Sequence, residues 1–179
     1  LNPGNIRKPE QIKLVASEAR DRGLPIRIGV NAGSLDPDIA DQYGANTPEA
    51  LVASAMREMN YFREVDFHDV KISVKSSNVR VMIDAYRMLA DVTDAPLHLG
   101  VTEAGPLPGG LVKSSAGIGT LLAEGIGDTI RVSLTPRPGG DRREEVYAAC
   151  ELLQSLGLRA FSPSVTACPR SEEHTSELQ

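Results

Sequence analysis

The sequence has no tryptophan, only two cysteines, and few aromatic residues, which make up 4% of 179. Two cysteines are too few for a disulfide framework, so a reducing, cytoplasmic setting is expected. No run of about 18 apolar residues exists, which argues against a membrane-spanning segment. Lys and Arg number 19 against 24 Asp and Glu, and the net charge of −5 argues against a nucleic-acid partner. The first residues, 1–5, have neither a methionine start nor a signal-peptide pattern and are expected to lie inside a longer protein.

What the sequence does contain is a repeated alternation of apolar with polar or small residues. Hydrophobic residues make up 41% and charged residues 24%, which is typical of a globular protein with room for one domain. Four segments alternate with period two, and each is predicted to be a strand: 26–31, 70–76, 97–102 and 129–135. Apolar residues at helical spacing separate them. This order predicts a parallel sheet with right-handed crossovers.

The strand pattern favours a barrel over an open doubly wound sheet. Strands of an open sheet are covered by helices on both faces and are apolar on both. Here one face of every strand is aliphatic and the other is polar or small. The predicted fold is therefore α/β, a partial (β/α)8 TIM-type barrel of roughly the last four to five β/α units, spanning residues 1–160.

Local patterns predict where several helices and loops begin and end. Thr47 and Asn78 are predicted helix caps, and residues 32–46 are predicted to be a long loop rich in Gly, Asp and Pro. A short helix is expected to begin at Ser114 or Ser115. The last helix is expected to open at Asp141 and to bury one apolar stripe, which comprises Val146, Ala149, Cys150 and Leu153. A further strand and a linker are expected within 158–168.

Glu103 stands where the third strand stops, at the end where parallel α/β folds bind their ligands. The polar faces of the four strands carry cations, including Arg27, Lys71, Lys75 and Arg131, and the histidine His98. Because unpaired buried cations cost several kcal/mol each, one carboxylate cannot offset four. The pattern favours an anionic ligand such as a phosphate or diphosphate. The alternative is pairing with acids on strands outside this sequence.

Other residues in the pattern are open to more than one interpretation. Gly29 and Gly100 are expected to leave room for the ligand. His98 is either a substrate contact or a satisfied interior histidine, and it has no metal-ligand spacing to His68. The pair Gly117 and Gly119 lacks the third glycine of a dinucleotide fingerprint.

Several motifs in order carry a resemblance to a known family. They are LNPGNI, IRIGVNAGSL, KISVKSS, PLHLGVTEAG, DTIRVSL and ACP. With them the chain resembles the 4-hydroxy-3-methylbut-2-en-1-yl diphosphate synthase family over nearly its whole length up to Pro169. The resemblance implies an eight-stranded barrel followed by an iron–sulfur domain. It also implies reductive conversion of 2-C-methyl-D-erythritol 2,4-cyclodiphosphate in non-mevalonate isoprenoid synthesis.

The resemblance also implies roles for individual residues. Glu103 matches an acid near the reacting carbons, proposed to donate a proton, and Cys168 matches the first cysteine ligand of a [4Fe–4S] cluster. The implied substrate contacts are Arg27, Asn31, Lys75, Arg131 and Ser133, and His98 is added to them as a candidate. The implied partners are the cyclic diphosphate, flavodoxin or ferredoxin as electron donor, and a second copy in a homodimer, with no nucleic acid and no membrane.

The sequence departs from the family pattern after Cys168. Arg170 and Ser171 follow, where the family has a second cysteine, and residues 170–179 resemble a translated sequencing adapter. Residues 161–169 are expected to begin a linker to an iron–sulfur domain that the chain lacks. The fragment alone is therefore expected to be inactive, and its open sheet edges predict poor solubility.

Two competing hypotheses remain. The first is another barrel enzyme acting on a phosphorylated small molecule, such as a Schiff-base aldolase using Lys71 or Lys75. The second is a non-catalytic anion-binding module.

Overall fold

Strands and helices alternate along the chain in the computed structural model, which describes residues 1–2, 6 and 8–164. The four strands are β1 (Ile26–Asn31), β2 (Val70–Lys75), β3 (His98–Leu99) and β4 (Thr129–Ile130). The helices are α1 (Pro9–Asp21), α2 (Pro37–Tyr43), α3 (Pro48–Arg63), α4 (Val79–Val92), α5 (Gly109–Ala123) and α6 (Glu144–Ser155). A 3-10 turn, Ala32–Ser34, follows β1.

The strands lie side by side in chain order, and all are parallel. β1 pairs with β2 in a register that sets Arg27 opposite Lys71 and Asn31 opposite Lys75. β3 pairs with β4, and a bridge between Ile72 and Leu97 joins the two pairs. The carboxyl ends of the strands therefore share one edge, which is where parallel α/β folds place their sites.

The aliphatic face of each strand lies against the helices. Ile28, Ile72 and Leu99 are fully buried, whereas Arg27 is exposed and Lys71 is half-buried on the other face. The helices form one layer, in which α3 packs on α1, α2 and α4, and α5 packs on α4 and α6. One helix-covered face and one polar face is the arrangement of a β/α-barrel segment.

Two helix starts follow the predicted cap chemistry. The Thr47 hydroxyl accepts a hydrogen bond from the Ala50 amide at 3.2 Å, at the start of α3. The Asn78 side chain accepts from the amides of Arg80 and Val81 at 3.0 and 3.2 Å, at the start of α4. These contacts satisfy backbone donors that have no partner inside the helix.

The structure differs from the sequence prediction in several elements. The 32–46 segment is not one loop, because it contains the 3-10 turn and α2, which buries Ile39. α5 begins at Gly109, before the predicted serines. α6 begins at Glu144 and buries none of its residues, so Cys150 is only half-buried and Val146 is exposed. Residues 158–164 form no strand.

Candidate functional site

A polar cavity of about 480 Å³ opens at the carboxyl edge of the sheet. Three strand ends and the loop before α3 contribute to it, because the parallel register brings those ends together. Its lining residues are Asn31, Ala32, Gly33, Asn46, Ser76, Ser77, Thr102 and Glu103. The cavity therefore includes two residues singled out from the sequence, Asn31 and Glu103.

Glu103 occupies the turn that follows β3 and faces this cavity. Its φ of 53° lies in the left-handed region, which is uncommon for a residue other than glycine. The preceding residue is fixed, since the Thr102 amide donates to the Ser76 carbonyl at 3.3 Å. Strained backbone conformations persist where the surrounding structure holds them, and they cluster at functional sites. The carboxylate predicted from the sequence thus lies in the lining of the cavity.

The polar face of the sheet carries cations that lie close to one another. Arg27 and Lys71 are direct neighbours across the β1–β2 register. The Lys75 ammonium lies over β1, since a Cβ placed on Gly29 would be 3.9 Å from its Nζ. The Arg131 backbone and side chain cover Gly100, where a Cβ would be 2.9 Å from the Arg131 carbonyl oxygen. Arg131 thus occupies the space beside Gly100, and the expectation that Gly100 leaves room for a ligand is wrong.

These cations have no acidic partner in the part of the chain that the structure describes. The ion pairs among residues 8–164 involve other side chains. Burial lowers the pKa of Lys75, and the positive charges of Arg131 and Arg27 lower it further. Arg27 is exposed and Lys75 is half-buried, so these charged groups lose only part of their hydration. The repulsion between the neighbouring positive charges remains. An anion placed on this face would relieve that repulsion.

His98 lies among the same cations and is held by its neighbour on β4. Its Nδ1 lies 2.7 Å from the Thr129 hydroxyl, and its buried Nε2 has no hydrogen-bond partner. Burial lowers the pKa of His98 to about 4, with further contributions from Arg27, Lys71 and Arg131. The imidazole is therefore neutral at pH 7 and adds no fifth charge to the face.

Tyr86 of α4 ties β2 to β3 beneath the site. Its hydroxyl accepts from the Val74 amide at 3.1 Å and donates to the His98 carbonyl oxygen. Burial raises the pKa of Tyr86 to about 12, so this hydroxyl stays protonated and keeps both bonds. The two strands that carry Lys75 and His98 are thereby fixed relative to each other.

Five candidate residues are not among those that line the cavity: Arg27, Lys75, His98, Arg131 and Ser133. Ser133 is half-buried on the polar face after β4, and Cys168 lies outside the described residues. Among residues the structure describes, no three His, Cys, Asp or Glu side chains are grouped so that they could hold a metal ion. These residues therefore do not fit an iron–sulfur cluster.

Six of the eight residues that line the cavity were not singled out from the sequence, and Asn46, Ser76 and Ser77 are three of them. Ser76 and Ser77 directly follow β2, and that position is a signal that could have identified them. Asn46 lies in a segment predicted as an irregular loop, and nothing in its local pattern indicates that it reaches β2.

Comparison with known proteins identifies the family. A family model described as the GcpE TIM-barrel domain matches residues 1–150. The chain belongs to the GcpE TIM-barrel family. This match confirms the predicted barrel fold. The described residues form a segment of it, with four parallel strands and an outer layer of helices.

Relatives of this GcpE-family chain carry the name 4-hydroxy-3-methylbut-2-en-1-yl diphosphate synthase (flavodoxin). The protein from Acidothermus cellulolyticus is 56% identical over 170 residues, which are 94% of this chain and 42% of the relative. Those from Acidithiobacillus ferrooxidans and Clostridium tetani are 53% and 52% identical over 169 residues, with 45% and 47% of their lengths covered. The chain thus spans less than half the length of these relatives.

No helix of the described residues is long and apolar enough to cross a bilayer.

Proposed function

We propose that this chain is the substrate-binding barrel segment of an enzyme that makes 4-hydroxy-3-methylbut-2-en-1-yl diphosphate. Its substrate would be 2-C-methyl-D-erythritol 2,4-cyclodiphosphate, and the reaction would be a reductive ring opening in non-mevalonate isoprenoid synthesis. The observation that carries this proposal is the cationic face of the sheet, whose cations lack acidic partners among the described residues. The names of the relatives support the product and flavodoxin as electron donor.

In this proposal, Arg27, Lys75 and Arg131 bind the diphosphate. Guanidinium groups offer paired donors to phosphate oxygens, and a lysine offers a mobile charge. Asn31 and Ser133 would add neutral hydrogen bonds. His98 would act as a neutral neighbour of the phosphates, since its ring is already held by Thr129.

Glu103 is proposed as the general acid. A departing hydroxyl needs a proton to leave as water, and a carboxylic acid at the cavity supplies one. Glu103 lines the cavity at the carboxyl edge of the sheet, and in this proposal it would face the organic part of a ligand whose phosphates lie on the cationic face.

The redox part of the proposal lies outside the described residues. A [4Fe–4S] cluster would supply the two electrons in the full-length protein, and Cys168 would be one ligand. Among the described residues, no group of His, Cys, Asp or Glu side chains could hold this cluster. A cytoplasmic homodimer, with a linker in 161–169 and an adapter-derived tail in 170–179, completes the proposal.

Diphosphate binding by this chain tests the cationic face. Isothermal titration with inorganic diphosphate is expected to show saturable binding that weakens at least about tenfold in Lys75→Met, because a charge-assisted bond is lost. Lys113→Met, an exposed lysine on α5, is the matched control and should bind like the parent. Equal affinity in Lys75→Met and parent would contradict the proposed role of the face.

Turnover in a full-length protein carrying this segment tests Glu103. Glu103→Gln is expected to lower kcat by about 10²- to 10⁴-fold while substrate still binds, because the amide cannot donate the proton. An anion-binding module would keep its function in the same variant.

Borohydride trapping tests the competing Schiff-base aldolase, for which the lowered pKa of Lys75 is the one favourable observation.

Sequencing the source DNA across Cys168 and Pro169 tests the proposed boundaries. A cysteine codon two positions after Pro169, with a further cysteine and a glutamate later, would support the iron–sulfur proposal. A frame that continues as Arg170 and Ser171 would contradict it.

A further inference from the structure

Asn46 reaches the cavity from the loop between α2 and α3. Its φ of 60° is left-handed, a conformation that asparagine tolerates better than most residues. This backbone turn places its side chain beside β2, where the Ser76 hydroxyl donates to the Asn46 Oδ1 at 2.9 Å. A residue from one β/α unit is thereby joined to the strand end of the next.

Ser76 fixes the orientation of the Asn46 carboxamide. Ser76 is 1% exposed, and its hydroxyl oxygen accepts from the Asn78 amide at 3.1 Å while its hydrogen goes to Asn46. The Ser76 carbonyl is also engaged, by the Thr102 amide. The Asn46 Oδ1 is thus committed, and its Nδ2 donates to no acceptor among the residues described.

Asn46 and Glu103 line the same cavity with complementary chemistry. The amide offers a donor, and the carboxyl group of Glu103 offers an acceptor oxygen. A hydroxyl group both accepts and donates, so it can satisfy the two at once. A phosphate would meet the like charge of Glu103 here, whereas the cations that suit phosphate lie on the face of the sheet.

We propose that Asn46 is a specificity-determining residue whose side-chain amide donates a hydrogen bond to a ligand hydroxyl held between it and Glu103. The inference rests on the proposed diphosphate site, which would hold the other end of the same ligand. It assigns a hydroxyl-bearing organic diphosphate to the cavity, in preference to a purely hydrocarbon one.

Two substitutions separate this role from a structural one. Asn46→Gly keeps the left-handed backbone and removes the side chain. Asn46→Asp keeps an acceptor for Ser76 and removes the donor. Asn60→Ala, at an exposed position on α3 away from the cavity, is the control.

The experiment is isothermal titration of the chain and its variants with three probes. They are inorganic diphosphate, 3-methylbut-2-en-1-yl diphosphate, and its 4-hydroxy derivative. In Asn46→Gly and Asn46→Asp, the affinity for the 4-hydroxy ligand is expected to fall by roughly 2- to 10-fold more than the affinity for the ligand without the hydroxyl. This difference corresponds to the loss of one neutral hydrogen bond. The added charge of Asn46→Asp lowers the affinity for both organic ligands alike, so the difference between the two losses of affinity reports on the hydroxyl group alone.

Each other outcome overturns the inference in a recognisable way. Equal losses for all three probes would assign Asn46 a structural role, as would full recovery in Asn46→Asp. Unchanged affinities would remove Asn46 from the site while leaving the diphosphate face intact. Binding of no diphosphate by the parent chain would overturn the proposed function, and this inference with it.

Discussion

Glu58 is a carboxylate that α3 buries beneath the sheet. Its side chain is 2% exposed, its Oε1 has no hydrogen-bond partner, and Asp36 lies nearby. Burial raises the pKa of Glu58 from 4.5 to about 7, and the negative charge of Asp36 adds to the shift. The positive amino group of Leu1 opposes it. A carboxyl group in this setting stabilises the fold only while it is protonated.

Glu58 is therefore expected to make stability fall as pH rises from about 4.5 to about 7. In that window the folded state holds a proton that the unfolded state has lost, so rising pH favours unfolding. Glu58→Gln should remove this dependence and gain on the order of 1–3 kcal/mol over the parent by pH 8. Denaturant unfolding at several pH values measures it, with exposed Glu151→Gln on α6 as control. A gain that is the same at pH 5 and pH 8 would contradict the argument.

The backbone of Glu103 is strained, because its φ of 53° is left-handed. A left-handed residue other than glycine costs of order 1–3 kcal/mol, and glycine adopts the same φ without strain. Glu103→Gly is expected to stabilise the chain by about 1 kcal/mol while removing the proposed acid. Thermal unfolding checks the sign, and Glu103→Ala, which keeps the strain, is the control. Equal stability of the two variants would show that the turn stores no strain.

At the level of elements, packing between α4 and α5 depends on Gly117. A Cβ there would lie 2.7 Å from Met82 Cε, 3.0 Å from Val101 Cγ2 and 3.3 Å from Val79 Cγ1. Met82 and Val101 are buried, so they have little room to move. At Gly119 a Cβ would meet, among the described residues, only Leu152 Cδ1, at an ordinary 3.5 Å.

The two glycines of α5 should thus respond oppositely to alanine. Gly117→Ala is expected to cost about 1–3 kcal/mol through overpacking. Gly119→Ala is expected to gain up to about 1 kcal/mol, because alanine is the better helix former. Urea unfolding of the pair measures both. Stabilisation by both would mean that the α4–α5 interface yields easily, and destabilisation by both would point to the close approach of α6 at Gly119.

Elements with strong local signals could be predicted from the sequence, and those set by distant contacts could not. The strand alternation identified the buried and polar faces, and Thr47 and Asn78 cap the predicted helices. α2 was missed because its seven residues carry only one buried apolar side chain, Ile39. The start of α5 was missed because glycines at 109 and 110 favour a loop locally.

The same division holds for the site. Position at a strand end indicated Glu103, and alternation placed Arg27, Lys75 and Arg131 on one face. Asn46 could not be predicted, because its contact with Ser76 joins residues 30 positions apart. The apolar stripe predicted for α6 is only partly covered, because Ala149, Cys150 and Leu153 are half-buried while Val146 is exposed.

On the scale of the whole molecule, the sheet has two open edges within the described residues. Among the residues that the structure describes, only Leu1 lies along the free edge of β1, where its amine donates to the Arg27 carbonyl and its carbonyl accepts from the Gly29 amide, each at 2.7 Å. Within residues 8–164, β4 pairs with β3 and with no other strand. Open strand edges are templates for pairing with another chain. The exposed apolar residues of α6 add a second surface that favours association.

The isolated chain is accordingly expected to self-associate as its concentration rises, which sedimentation velocity over a range of concentrations measures. Val146→Lys combined with Tyr147→Lys removes the apolar surface of α6 and leaves both sheet edges open. If the apolar surface drives association, the double variant should sediment as a monomer. If the edges drive it, the variant should associate like the parent, and burial of the edges by further strands would be what a soluble protein needs. A parent chain that stays monomeric and unfolds cooperatively would contradict both, because it would show that four strands and six helices close their own surfaces.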